Sequence, residues 1–304
     1  MRKHITALFI LAFLFSGMAQ QNLAERLGYT KDTKLLIIHA DDIGIAHSVN
    51  DASFTAMKEG SVNSGSIITV GPWMEEVAEM AKEFPQADLG VHLALTSEWL
   101  HYKWRPLTEG KSFTTEFGYF YATCAEATKN VILAELEEEM RAQIEFAIKN
   151  GIQPTHLDNH MGCLTTGDPE LLQLYLKLGR MYEIPVMLTK SQVPPSIKKN
   201  LTKTAVLLDA LYIAGPEDYK NGMAAYYTKV IRNLKPGLNQ IILHAAHDDA
   251  EMQQICYGHR NWGSDWRQKD YYYFTSERVQ RLLEENEIRL ISWREIREIL
   301  FNAD

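Results

Sequence analysis

Short apolar runs alternate along this chain with longer stretches whose apolar residues recur every three to four positions. Runs at 34–40, 64–70, 89–95, 155–158, 185–188, 205–208, 240–245 and 288–292 have the length and composition of buried strands. Amphipathic stretches at 49–59, 74–83, 131–150, 169–181, 223–234, 276–287 and 293–301 predict helices. The longest places Leu133, Leu136, Met140, Ile144 and Ile148 at helical spacing, and Gly151 stands where a helix ends. Strands alternating with helices imply a parallel sheet with crossover connections. About eight such units predict an α/β chain: a single-domain, distorted (β/α) TIM-like barrel. An open doubly wound sheet is the alternative, although no GxGxxG follows the first run.

Two segments are longer than barrel loops require. Residues 97–128 carry Trp99, Tyr102, Trp104, Phe113, Phe117, Tyr119, Phe120 and Tyr121. Residues 246–274 carry Tyr257, Trp262, Trp266 and Tyr271-Tyr272-Tyr273. Long ordered loops usually serve function, and this aromatic content argues against disorder. Both are expected at the C-terminal rim of the barrel. Their rings either stack on sugars or pack the loops onto the barrel.

The N-terminus departs from the alternation. A basic start, Met1-Arg2-Lys3-His4, precedes an apolar run at 5–15 and the small residues Ser16-Gly17-Met18-Ala19. This predicts a secretory signal over 1–20, an exported protein, and a mature domain over 21–304 with no stable membrane span. An uncleaved anchor is the competing reading. With 304 residues, 46% of them hydrophobic, the chain can bury a large core, and a net charge of -8 with no Lys/Arg block argues against nucleic acid. A homodimer is compatible with this composition. Three cysteines, Cys124, Cys163 and Cys256, form no CxxC pair. Their odd number leaves at least one unpaired, and buried free thiols are the expectation.

Candidate chemistry gathers at four predicted strand ends. The first is Ile38-His39-Ala40-Asp41-Asp42-Ile43-Gly44, where adjacent carboxylates would repel without a cation nearby. On a regular strand these two neighbours point oppositely, one available as a ligand and one for a proton. The second is Gly90-Val91-His92-Leu93. The third, Pro154-Thr155-His156-Leu157-Asp158-Asn159-His160, repeats polar groups at every second position, so His156, Asp158 and His160 share one face of a strand. This period does not choose between His156 and His160 as a ligand. The fourth is Ile241-Ile242-Leu243-His244, followed by His247, Asp248 and Asp249. Imidazoles with carboxylates at the C-terminal rim point to one divalent metal and an activated water. No Gly-x-Ser-x-Gly elbow occurs, and a Cys163/His160 pair is the weaker nucleophile reading.

Ala40-Asp41-Asp42-Ile43-Gly44, Gly90-Val91-His92-Leu93, the 154–160 segment and Leu243-His244 together resemble the YdjC-like family, whose ChbG-type members deacetylate chitooligosaccharides. The resemblance runs from about Lys34 to Trp293. It implies a distorted barrel with one zinc or magnesium ion held by Asp42, His92 and His160. It also implies Asp41 as general base and His244 as general acid; His156 and Asp158 are then assigned to support, orienting a ligand and setting its basicity. Ala245 stands where the family has Pro after the histidine, and Met161-Gly162 where it has further histidines. The substrate implied is an acetylated sugar or oligosaccharide, attacked at its amide carbonyl. Arg267, Asp270 and Trp262 are candidates for sugar contacts; for Arg267 and Asp270 the competing reading is a surface salt bridge. The rival functions are an O-acetyl esterase, a phosphoesterase, or a non-catalytic glycan-binding barrel.

Overall fold

The first apolar run becomes strand β1, Lys34–Ile43, buried along almost its whole length. The computed structural model describes residues 23–301 except 166, 200 and 260, so the expected signal at 1–20 lies outside the described residues. The remaining strands are β2 (Ser64–Ile67), β3 (Leu89–Leu93), β4 (Leu157–Asn159), β5 (Val186–Thr189), β6 (Ala205–Leu208), β7 (Ala210–Ile213), β8 (Gly237–Leu243) and β9 (Ile288–Leu290). All pair in parallel in the spatial order β6-β5-β4-β3-β2-β1-β8-β7, with β9 beside β1. The expected distorted barrel is found, with its sheet nearly closed.

Closure is made by a kinked segment. Only Asp209 separates β6 from β7, yet β6 pairs with β5 and β7 with β8. Asp209 donates its N–H to the Leu238 carbonyl at 2.7 Å, and its Oδ2 accepts from Leu238 N–H at 2.8 Å. The hydrophobic pattern predicts only the 205–208 half, because this aspartate interrupts the run.

Alternation along β1 explains its composition. Leu35 and Ile37 cluster with Met187, Val206, Leu238 and Trp293 on one face. On the other face Leu36, Ile38 and Ala40 pack with residues of helices Met223–Arg232 and Glu277–Glu285. A strand buried on both faces reads as a nearly continuous apolar run, and each buried Leu or Ile contributes roughly 1.5–3 kcal/mol. The predicted helices appear within a few residues of their expected bounds. Met74–Glu83 and Trp293–Phe301 match them, and Gly151 adopts φ +83° just beyond helix Leu133–Lys149. Trp293 is fully buried; its Nε1 donates to Gln240 Oε1 at 3.1 Å and its backbone N–H to Asp88 Oδ2 at 2.9 Å.

The two long segments behave differently from one another. In 97–128, Trp99, Trp104, Phe113 and Phe120 are buried, whereas Phe117 is exposed. The 246–274 segment is largely helical, through Ala250–Ile255 and Ser264–Phe274, and buries Trp266, Tyr273 and Phe274. Most of these rings therefore pack the segments down, leaving Tyr257 and Tyr272 exposed. The cysteines also depart from expectation. Cys124 and Cys163 form a disulfide, and Cys256 is the buried free thiol. A bond between residues 39 apart has no local spacing to announce it. No helix of the described residues is long and apolar enough to cross a membrane.

Candidate active site

The end of β1 does not keep strand geometry. Asp42 adopts φ +67°, and the pairing of β1 with β2 shifts register between Ala40 and Ile43. Such a bulge re-aims side chains. Asp41 and Asp42 consequently do not point oppositely, as a regular strand requires. Asp41 Oδ2 lies 3.8 Å and Asp42 Oδ1 3.7 Å from the same atom, His92 Nε2.

Strand register then assembles the rest. β3 and β4 place His92 opposite Asp158, and His92 Nδ1 donates to Asp158 Oδ1 at 2.7 Å. β4 ends at Asn159, whose extended backbone carries the period of two one residue further, so His160 arrives on the same side. His160 Nδ1 lies 3.3 Å from Asp42 Oδ1 and 3.3 Å from His92 Nε2. Asp42 Oδ1, His92 Nε2 and His160 Nδ1 thus form a triangle with edges of 3.3, 3.3 and 3.7 Å. A tetrahedral ion about 2.0–2.1 Å from each donor would set its donors about 3.4 Å apart. Asp42 Oδ1 is buried without a hydrogen-bond donor of its own. Both observations fit a divalent ion at this position, and the donor set is that of a catalytic zinc. Among the described residues, His39/His156/Asp158 and Asp41/His92/Asp158 also bring three buried ligand atoms within 4.8 Å of one another. Asp158 is shared by both, and its oxygens are already bonded to Ser66 and His92.

Two more residues of the site lie inside the barrel. His39 Nδ1 pairs with Ser64 Oγ at 3.0 Å, and its Nε2 lies 2.9 Å from Asp41 Oδ1 and 3.2 Å from Asp158 Oδ2. Ser66 Oγ donates to Asp158 Oδ2 at 2.9 Å. The sequence marks neither by an apolar-to-polar boundary, although His39 stands two positions before Asp41 on one strand face, the same period of two as in the 156–160 segment. His156 sits deeper. It stacks on Trp293 with ring centroids 5.0 Å apart and meets His39 edge-on, also at 5.0 Å. A Cβ on Gly90 would come within 2.4 Å of the His156 ring, so glycine is required there. His156 thus lies behind His39, whereas Asp158 touches His92 directly.

The second long segment supplies the opposite wall. Arg267 is 2% exposed, and its Nη2 donates to Asp42 Oδ2 at 2.7 Å. It is a buried ion pair, not the surface salt bridge expected. Asp270 is buried too, accepting from Tyr227 Oη at 2.7 Å and from the His244 N–H at 3.0 Å. Those bonds and its full burial occupy it with the protein. Trp262 stacks on Trp266 at 5.0 Å, and its carbonyl accepts from Arg267 Nε at 2.8 Å. His244 Nε2 approaches Asp42 Oδ2 to 4.0 Å. From the first long segment comes Glu98, which the sequence does not mark. Its Oε2 accepts from His160 Nε2 at 3.0 Å. Cys163 is consumed by its disulfide and offers no nucleophilic thiol.

The electrostatics are those of a cation site. Burial opposes charge on Asp42, but Arg267 and then His160 outweigh it and hold the carboxyl well below the usual range. Burial would lower His160 and His39; instead, Glu98 and Asp42 raise His160 to about 10, and Asp158 and Asp41 raise His39 to about 10. His92 is raised against burial by Asp158 and Asp41. The negative field that holds protons on these imidazoles would equally attract a divalent ion. His244 differs: burial prevails over Asp42 and lowers it to about 4.

The family model for YdjC-like protein matches residues 35–285. A carbohydrate deacetylase from Thermus thermophilus is 33% identical, covering 92% of this chain and 100% of its own. Carbohydrate deacetylase 1 of Listeria innocua is 27% identical, covering 86% of this chain and 99% of its own. A solved Enterococcus faecalis structure, assigned provisionally to cellobiose-phosphate cleavage, is 26% identical with a TM-score of 0.70, over 87% of this chain and 99% of that one. With the same motifs set around one barrel mouth and the family model spanning most of its length, the chain belongs to the YdjC-like family.

Proposed function

We propose that this protein is a carbohydrate deacetylase that removes acetyl groups from N-acetylated sugars or oligosaccharides, with one divalent ion at Asp42, His92 and His160. The observation that carries this reading is the triangle of donor atoms, bordered by the Asp41 carboxylate. Two imidazoles with one carboxylate favour zinc or a similar ion over magnesium, which prefers oxygen ligands. When bound, such an ion supplies Lewis acidity toward an acyl oxygen and lowers the pKa of a water. Asp41, held by His39 and Ser66, takes the proton from the attacking water. His244 passes a proton to the leaving nitrogen. Its ring is neutral at rest, so it must first take up a proton, from solvent or from the protonated Asp41, as negative charge gathers on the substrate and raises it. Asp270 fixes the His244 backbone from below.

Export through a signal at 1–20 is part of the proposal. The Cys124–Cys163 bond supports it, since disulfides persist in oxidising compartments. The decisive assay is acetate release from N-acetylated sugars, before and after chelation and on restoring zinc. Release that continues at full rate in chelated protein removes the metal mechanism. Acetate release from O-acetyl esters only, or phosphate release from phosphate esters in its place, selects a rival hydrolase.

A further inference from the structure

We infer that Glu98 is a positioning residue for His160, and that the 97–128 segment forms part of the metal centre's frame rather than only a wall of the cleft. This rests on the metal reading above. The two candidate ligand imidazoles share one arrangement. His92 turns Nε2 to the triangle and donates from Nδ1 to Asp158; His160 turns Nδ1 to the triangle and donates from Nε2 to Glu98. A carboxylate on the far nitrogen fixes the tautomer and ring angle of a ligand. Asp158 belongs to the neighbouring strand, so barrel pairing alone sets His92. Glu98 does not belong to the barrel, so His160 depends on the inserted segment.

Other contacts converge on the same turn. The Trp104 ring meets His160 edge-on at 6.1 Å, and Trp104 Nε1 is anchored on the Thr96 carbonyl at 2.9 Å. Thr96 Oγ1 donates to Met161 Sδ at 3.3 Å. Cys124, in the inserted segment, is bonded to Cys163, three residues beyond His160. The turn needs this support because Met161 and Gly162 adopt φ +55° and +74°, and a residue with a Cβ rarely takes that conformation. Burial of the Cys163 end and of Trp104 makes these contacts part of the packed interior.

The test measures metal affinity rather than turnover. Oxidised wild type, Glu98→Ala and Glu98→Gln are stripped and titrated with zinc against a competing chromophoric chelator, with melting of the stripped proteins in parallel. Glu98→Ala should weaken zinc binding roughly 10–100-fold, and Glu98→Gln, which keeps an acceptor oxygen, should recover most of it. A Cys124→Ser/Cys163→Ser protein, or folded wild type reduced in place, should weaken zinc binding in the same direction. If wild type binds no zinc, the metal reading fails and this inference with it. If wild type binds and Glu98→Ala binds within about twofold of it, this inference alone fails. A lower melting temperature with unchanged zinc affinity likewise assigns Glu98 to the fold and overturns the proposal.

Discussion

Arg267 Nη2 holds Asp42 Oδ2 at 2.7 Å, and this leaves Asp42 Oδ1 facing His92 and His160. One oxygen is committed to a buried guanidinium and the other to the donor triangle. Removing one partner of a buried ion pair leaves an uncompensated charge, at about 3–5 kcal/mol. Arg267→Met should therefore destabilise the metal-free protein by that order. It should cost less in zinc-loaded protein, where the ion supplies positive charge beside Asp42. Melting curves with and without zinc measure the difference, and equal losses in both states would contradict it.

Asp41 touches His39 and Ser66 yet lies outside the donor triangle. Asp41→Asn keeps an acceptor for His39 and loses the base. Turnover should fall about 10²–10⁴-fold while zinc stoichiometry is kept. A variant that keeps wild-type turnover rules out Asp41 as the base.

His244→Ala tests the acid by its dependence on the leaving group. An amine leaves poorly without a proton, whereas an activated phenolate leaves unaided. The variant should lose at least about tenfold more rate on an N-acetyl sugar than on an activated acetyl ester. Equal losses on both substrates would assign His244 to positioning.

Asp270 connects the site to stability. Burial pushes its carboxyl up to about 7, against a usual value of about 3.9. Between about pH 4 and 7 the folded state keeps this proton and the unfolded state does not. Its contribution to stability therefore falls as pH rises through that window. Asp270→Asn can still accept from His244 N–H and can donate to Tyr227 Oη. Relative to wild type it should gain on the order of 1–3 kcal/mol between pH 4.5 and pH 7.5. Urea midpoints at the two pH values decide; a difference independent of pH would show that Asp270 is ionised throughout.

The candidate donor triangle was legible in the sequence because each of its members stands near the end of an apolar strand or just after one. Asp42 and His160 sit where a hydrophobic run gives way to polar groups and His92 interrupts one near its end, and parallel strands deliver such ends to one rim. The same logic reached Asp41 and His244. It passed over His39 and Ser66, although both keep the period of two within their strands, because buried polar groups that face a barrel interior carry no separate mark in the pattern.

Hydrophobic periodicity by itself determined a parallel α/β sheet, most of its strands and the main helices packed on it, because burial against both faces of a parallel sheet imposes a local, repeating demand on residue type. The direction in which Asp42 points was decided only by tertiary structure: a bulge and a left-handed backbone bring it beside Asp41 rather than opposite it. Arg267, Glu98 and the Cys124–Cys163 bond were likewise settled only there. Each joins positions distant in the chain through segments that have no repeating pattern, and a contact of that kind depends on where the segments come to rest, which no local spacing encodes.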